Sequence, residues 1–147
     1  MVVADNVVLA TNYEAGKLGY LRRRLMGSTL SGSFTRQLSG DERAGLGELD
    51  QWGLLSLHGG GATVRLTKDG RLSLRNTAEY SGAALLTDRQ LAQRQVRHRA
   101  AFEVRFPQLQ HVPFEYAWSG VEGISRNGTN FFGRQGDGVG RDRRQRR

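Results

Sequence analysis

The feature that most constrains the fold is an alternating stretch, residues 62–76, which predicts a β-hairpin. Two strands, residues 62–67 and 71–76, flank the turn Lys68-Asp69-Gly70. Because successive side chains of a strand point to opposite faces, only a three-residue loop sets Leu66 opposite Leu72 and keeps the apolar residues together. We therefore expect Gly70 in the left-handed conformation. The apolar face comprises Val64, Leu66, Leu72 and Leu74, and the polar face comprises Thr63, Arg65, Thr67, Arg71, Ser73 and Arg75.

The segments before this hairpin extend it into a β-meander. Residues 52–57 predict a strand, and the three glycines at residues 59–61 predict its turn. Residues 29–38 alternate loosely and are rich in Ser and Thr, which indicates a strand with one face in water. Asp41, Glu42 and Arg43 predict a short helical turn.

One long helix is predicted from Asp88 to about Arg105. Thr87 and Gln90 have the spacing of a capping box, and Pro107 ends the helix. The apolar stripe predicts the buried side, and it comprises Ala92, Val96, Ala100 and Val104, flanked by Leu91, Phe102 and Phe106. The basic stripe predicts the solvated side, and it comprises Arg94, Arg97, His98 and Arg105.

Composition and charge exclude several classes of function. The chain has no Cys, and its three His residues lack ligand spacing, so no metal site is expected. The net charge of +8 leaves a small basic nucleic-acid-binding protein as the alternative function. Six Arg against two Asp in residues 133–147 supply +4 of that charge, which argues against nucleic acid as a partner. With no long apolar run and no secretory-signal pattern, a cytoplasmic protein without a membrane contact is expected.

Two further segments lie near the ends of the chain. Val7, Val8 and Leu9 predict a short apolar strand that runs into a turn of small residues, Ala10-Thr11-Asn12. Residues 114–121 alternate like a strand and carry Trp118 and Gly120. Together with the hairpin, a helix that ends in Phe-Pro, and the loop at residues 127–133, these segments resemble FAD-dependent oxidoreductases of the D-amino-acid oxidase family. The resemblance covers residues 4–133 and is closest to the branch of gamma-glutamylputrescine oxidoreductases.

The resemblance implies an α+β fold, the substrate-domain half of a two-domain flavoprotein, with an antiparallel or mixed sheet and one long helix. Residues 1–13 then correspond to a remnant of the FAD-binding domain, residues 14–112 to the substrate domain, and residues 113–133 to a return strand and loop. Residues 134–147 are expected to form a disordered Arg-rich tail. The implied activity is oxidation of a C–N bond in a small amine or amino acid, with the electron transfer carried by FAD.

The resemblance also implies roles for particular residues, and no catalytic residue is among them. The implied cofactor-binding residues are Ala10, Thr11, Asn12, Trp118 and Gly120, and the implied substrate-binding residues are Arg65, Arg71 and Arg75. An Arg guanidinium can hold a carboxylate with two hydrogen bonds. Each role has a plain alternative: an ordinary strand-ending turn, a Trp that anchors the core, a Gly that relieves a bend, and Arg side chains in solvent.

One departure from the family bears on activity. The chain lacks the Gly-x-Gly-x-x-Gly turn that binds a flavin pyrophosphate, and its nearest candidate, Gly136-Asp137-Gly138, has Arg141 where the third Gly belongs. The sequence therefore predicts a truncated C-terminal half that is inactive alone, and whose partner would be a separate N-terminal FAD-binding half.

Overall fold

A computed structural model describes residues 3–58, 61–80 and 82–134. The chain divides into two compact units, Gly27–Glu122 and a second unit made of Met1–Met26 with Gly123–Arg147. The α-helices are α1 (Gly40–Ala44) and α2 (Asp88–Arg105), and 3₁₀ segments cover Asn12–Gly16 and Pro107–Leu109. The strands are β1 (Leu25–Thr35), β2 (Trp52–Leu55), β3 (Thr63–Leu66), β4 (Leu72–Glu79) and β5 (Phe114–Ser125).

The five strands form one antiparallel sheet in the order β2-β3-β4-β1-β5, so the α+β fold class is confirmed. Strand β3 pairs with β4 with Leu66 opposite Leu72 and Val64 opposite Leu74, as the alternation predicts. Gly70 has φ +75°, and the Thr67 amide donates to the Arg71 carbonyl at 2.9 Å, which closes the three-residue loop. The hairpin register is therefore confirmed.

Several predicted element bounds differ from the observed ones. Strand β2 ends two residues before the predicted end, whereas β4 continues three residues beyond its predicted end to Glu79. Two of the three glycines in the predicted turn, Gly59 and Gly60, lie outside the described residues, as does the predicted tail from residue 135 onward. The predicted helical turn at Asp41 is confirmed as α1, with Ser39 and Glu42 forming a capping box.

The core lies between the sheet and α2. Aliphatic side chains of the hairpin pack against Phe102 and Phe106, whose ring centroids are 5.4 Å apart. Each buried Leu or Phe of this kind stabilises the folded state by about 1.5–3 kcal/mol. The members of this cluster are Leu38, Ala62, Val64, Leu66, Leu72, Leu74, Phe102, Phe106, Leu109 and Val112.

The bounds of α2 are confirmed, including the capping box of Thr87 and Gln90. Its faces are predicted correctly in part: Phe102 and Phe106 are buried and Arg97 and Arg105 are exposed, but the Ala and Val stripe, Arg94 and His98 are assigned to the wrong sides. Val96 is 71% exposed, whereas His98 is fully buried and the Arg94 side chain is only 18% exposed. The reason lies in β1, which presents Ser hydroxyls to the helix. The first half of the inner helix face is polar, with His98 on the Ser hydroxyls and Arg94 paired with Glu79, whereas Phe102 and Phe106 continue the same face into the apolar core. The Ala and Val stripe lies on the other side.

The same contact corrects the prediction for β1. Its hydroxyl-bearing face was expected in water, yet Thr29, Ser31, Ser33 and Thr35 are all buried. Buried hydroxyls require hydrogen-bond partners. The His98 ring provides two of them, and the Leu72 amide donates to the Thr35 hydroxyl at 2.9 Å.

The predicted strand at Val7, Val8 and Leu9 is not formed. These residues have no regular secondary structure and all three are exposed. A strand needs a neighbouring strand for its backbone groups, and the sheet of the described residues consists of β1–β5, none of which includes residues 7–9. A 3₁₀ segment, Asn12–Gly16, follows instead.

Candidate functional site

Trp118 lies on the sheet face opposite α2. Because Ser31 and Ser33 point toward His98, Gly32 between them faces the other side. A Cβ atom at Gly32 would lie 2.9 Å from Cε2 and Cζ2 of Trp118, so the absent side chain is what lets the indole lie across β1. Gly120 also lies beside the Trp118 ring. A Cβ atom at Gly120 would lie 3.7 Å from Trp118 Cζ3, which is an ordinary van der Waals distance, so this contact does not require a glycine.

A shallow depression of about 630 Å³ opens beside this indole. Its aromatic walls come from β1 and β5, and its polar wall comes from the β3–β4 turn and the first residue after it. It is lined by Phe34, Asp69, Arg71, Tyr116 and Trp118. The structure therefore brings together one predicted cofactor-binding residue, Trp118, and one predicted substrate-binding residue, Arg71.

The guanidinium of Arg71 is held by several partners. Its Nη1 donates to the Thr35 carbonyl at 3.0 Å and to the Glu115 carboxylate, and its Nε donates to Asp69 Oδ2 at 3.1 Å. It also lies over the Tyr116 ring, 5.2 Å from the centroid. The hydrogen bond from Arg71 lowers the pKa of Glu115, and Glu115 in turn raises the pKa of Arg71.

The other two predicted arginines share this sheet face but not the depression. Arg75 Nη2 donates to the Thr63 hydroxyl at 2.7 Å. Arg65 is exposed and lies over Gly53, whose absent Cβ would be 3.6 Å from Arg65 Cγ. Arg65 lines a different shallow depression of about 470 Å³. That depression is formed by Gln51, Trp52, Gly53, Arg65, Leu66, Thr67 and Lys68.

The predicted cofactor turn, Ala10-Thr11-Asn12, belongs to the unit made of the two chain ends, and all three residues are exposed. Asn12 has φ +52°, a left-handed conformation that Asn adopts more readily than most residues. Its Oδ1 accepts a hydrogen bond from the Gly123 amide at 2.7 Å. A Cβ at Gly123 would collide with that oxygen, so this side chain has a structural role in joining the two segments.

A buried polar cluster between α2 and the sheet was missed at the level of sequence. The Ser33 hydroxyl lies 2.9 Å from His98 Nδ1, and the Ser31 hydroxyl lies 3.3 Å from His98 Nε2 and also contacts the Thr77 hydroxyl. Burial lowers the pKa of His98. The cluster is a Ser–His contact without access to a substrate, because His98, Ser31 and Ser33 have no exposed surface. The sequence signal for this cluster was the alternation of Ser and Thr in β1, because buried hydroxyl groups require a polar partner.

Over residues 3–58, 61–80 and 82–134, no helix combines the length and the apolar character needed to cross a bilayer. Over the same residues, His, Asp and Glu side chains do not gather in groups of three that could hold a metal ion.

The fold is similar to the crystal structure of glycine oxidase from Geobacillus kaustophilus, with a TM-score of 0.68 and 13% sequence identity. The match covers 90% of this chain and 33% of that protein, so the chain spans about a third of its length. At this identity the likeness shows the fold. No match was found among curated protein sequences.

The sequence of residues 2–142 matches a protein family described as DAO, FAD dependent oxidoreductase. This match covers nearly the whole chain and extends beyond residues 4–133, the range of the resemblance described above. The chain therefore belongs to the DAO family of FAD-dependent oxidoreductases.

Proposed function

We propose that this chain is the substrate-domain portion of an FAD-dependent oxidoreductase that oxidises a C–N bond of a small amine or amino acid. We place it with the branch that includes gamma-glutamylputrescine oxidoreductases. The observation that carries the proposal is the depression on the sheet face, where Trp118 and Tyr116 stand beside Arg71. Membership of the DAO family and the fold likeness to a glycine oxidase support it.

FAD needs a site for its pyrophosphate, and the described residues do not fit one. A phosphate binds at a helix N-terminus through free backbone amides. In α1 the Glu42 amide is bonded by Ser39, and in α2 the Gln90 amide is bonded by Thr87, so both helix starts are capped by their own side chains. The sequence has no Gly-x-Gly-x-x-Gly turn that could replace them.

We therefore assign the cofactor's phosphate site to a separate N-terminal FAD-binding half. Ala10, Thr11, Asn12, Trp118 and Gly120 remain the proposed contacts of this chain with the cofactor. The exposed apolar residues of the unit formed by the chain ends support such a partner, because Val8 is 89% exposed and Phe132 is fully exposed. We infer that the FAD-binding half covers these side chains, because large exposed apolar patches are typical of interaction surfaces.

The same proposal assigns the substrate to the sheet face that carries the three predicted arginines. Arg71 forms a wall of the depression. Arg65 in β3 and Arg75 in β4 lie further along the hairpin, where Arg65 pairs with Ser73 and Arg75 pairs with Thr63. The chain alone is proposed to be inactive, because the electron transfer belongs to the flavin. Losing two or three charge-assisted amide bonds to a pyrophosphate would cost on the order of 3–9 kcal/mol of binding free energy.

The test begins with the DNA immediately upstream of this chain. We expect it to encode a Gly-x-Gly-x-x-Gly turn after a strand, and we expect that polypeptide, coexpressed with this chain, to purify as a yellow complex. The complex should release hydrogen peroxide or reduce a dye with amines, whereas the chain purified alone should be colourless. Stoichiometric FAD on the isolated chain would contradict the proposal, and so would an upstream region that encodes no dinucleotide-binding turn.

A further inference from the structure

The charges around the depression favour a cation. Arg71 contributes one positive charge, and it is bonded to two carboxylates, Asp69 and Glu115. Both carboxyl groups have a lowered pKa, Asp69 chiefly through the Thr67 hydroxyl and Glu115 chiefly through Arg71, so both are ionised at neutral pH. Asp69 and Arg71 line the depression and Glu115 lies behind Arg71, so the three bonded side chains together carry one negative charge at its polar wall.

The hydrogen bonds of Arg71 leave no pair of parallel N–H groups free to bind a carboxylate. A guanidinium holds a carboxylate with two parallel N–H groups, either from Nη1 and Nη2 or from Nε and Nη2. Both Nη1 hydrogens are directed to Thr35 and Glu115, and the Nε hydrogen is directed to Asp69. Only the two diverging hydrogens of Nη2 remain. A substrate carboxylate would therefore have to displace an existing partner of Arg71 before it could be held by two hydrogen bonds.

The walls of the depression are aromatic. Phe34, Tyr116 and Trp118 line it, and aromatic ring faces attract a cation at a distance of up to about 6 Å. The structure already contains one such contact, since the Arg71 guanidinium lies over Tyr116. Rings of this kind also accept the methylene groups of an alkyl chain.

From these observations we propose that the depression binds the ammonium end of an alkylamine, and that it selects against a carboxylate. The inference rests on the function proposed above, because it names the substrate class for the same site. The ammonium would lie between the Trp118 and Tyr116 rings and the Asp69 carboxylate, with its alkyl chain along Phe34. Arg71 is then a positioning residue that holds the two carboxylates in place.

The test uses the 147-residue chain with a matched pair of probes, butylammonium chloride and sodium butyrate, at equal ionic strength. The readout is the indole N–H resonance of Trp118, identified by its absence in the Trp118→Phe variant. We expect butylammonium to shift this resonance with about two- to fivefold higher affinity than butyrate, the preference of an exposed cation–π site. The Trp52 resonance, from the other depression, should be unchanged. Equal or tighter binding of butyrate at Trp118 would overturn the proposal.

Two substitutions test whether the Asp69 and Glu115 carboxylates cause the preference for butylammonium. Asp69→Asn and Glu115→Gln each remove one carboxylate and should abolish the preference for butylammonium. Asp50→Asn is the matched control, since Asp50 is an exposed carboxylate outside the depression and should leave the preference unchanged. An unchanged preference in both site variants, with circular dichroism of the native fold, would contradict the assignment. Neither FAD nor a second polypeptide enters this test, so its failure is distinct from a failure to form the flavin complex.

Discussion

At the scale of single residues, the protonation of His98 depends on its surroundings. Its ring has no exposed surface, and each ring nitrogen lies within hydrogen-bond distance of a Ser hydroxyl. A hydroxyl can either donate or accept, so protonation of the ring would not break these bonds. The cost of protonation is the burial of a charge, which is why the pKa of His98 is lowered.

This lowered pKa predicts a loss of stability on acidification. The unfolded chain binds a proton at His98 near its ordinary pKa of about 6.5, whereas the folded chain binds it only at lower pH. The contribution of neutral His98 is therefore complete above about pH 6.5 and declines as the pH falls below that value. Urea denaturation at pH 7.5 and pH 5.5 measures it.

The matched variants are His98→Gln and His58→Gln, because His58 has an exposed side chain. His98→Gln should be less stable than the wild type by about 1–3 kcal/mol at pH 7.5, since it disturbs buried hydroxyl partners. It should also lose less stability than the wild type between pH 7.5 and 5.5. A larger loss of stability at pH 7.5 in His98→Gln than in His58→Gln separates the buried site from the effect of the substitution itself. An identical slope for His98→Gln and the wild type would contradict the role of His98.

At the scale of elements, the β3–β4 hairpin depends on local rules and on one left-handed residue. Gly70 has φ +75°, and its amide donates to the Thr67 carbonyl at 2.9 Å. This donor and acceptor both lie within the turn, and a further hydrogen bond, from the Leu38 amide to the Gly70 carbonyl at 2.9 Å, comes from outside it. A Cβ at Gly70 would lie 3.2 Å from Arg43 Cδ, the middle of a flexible side chain.

Substitution at Gly70 tests this account. Gly70→Ala should destabilise the chain by about 1–2 kcal/mol, because an L-residue pays for the left-handed conformation. Gly70→Asn should cost less, since Asn tolerates this region. Urea midpoints of the two variants at one pH give the comparison. Equal losses for Ala and Asn would indicate that crowding against Arg43, and not the backbone, sets the cost.

At the scale of the whole molecule, the described residues leave apolar surface uncovered in the unit made of the chain ends. Val8 is 89% exposed, and Val3 and Phe132 are also exposed. The predicted strand at Val7, Val8 and Leu9 is absent there, although its composition suits a buried strand. A sheet supplied by the proposed FAD-binding half would provide the missing neighbour.

Val8→Lys separates the stability of the chain from its assembly. Because Val8 is exposed, the substitution should change the free energy of unfolding of the isolated chain by less than about 0.5 kcal/mol. It should nevertheless abolish copurification with the upstream FAD-binding half, because a strand buried on both faces cannot accept a Lys. Lys17→Ala, another exposed change, is the control and should copurify normally. Full assembly of the Val8→Lys variant would show that residues 7–9 are not in the interface.

The sequence by itself determined the features whose causes lie within a few residues. Alternation and loop length set the register of Leu66 against Leu72, and a Thr-x-x-Gln pattern set the start of α2. The family could likewise be recognised, because the order and spacing of segments survive in the sequence. In the hairpin and at the start of α2 the interacting groups are close in the chain, so their pattern can be read without the fold.

Only the tertiary structure decided the features whose partners are remote in sequence. The inward face of α2 depends on Ser31 and Ser33, which lie 67 and 65 residues before His98. The hydrogen bonding of Arg71 depends on Glu115, which lies 44 residues away and accepts from Nη1 of the guanidinium. Periodicity places a side chain on one side of an element, but the polarity of the opposing surface decides which side is buried.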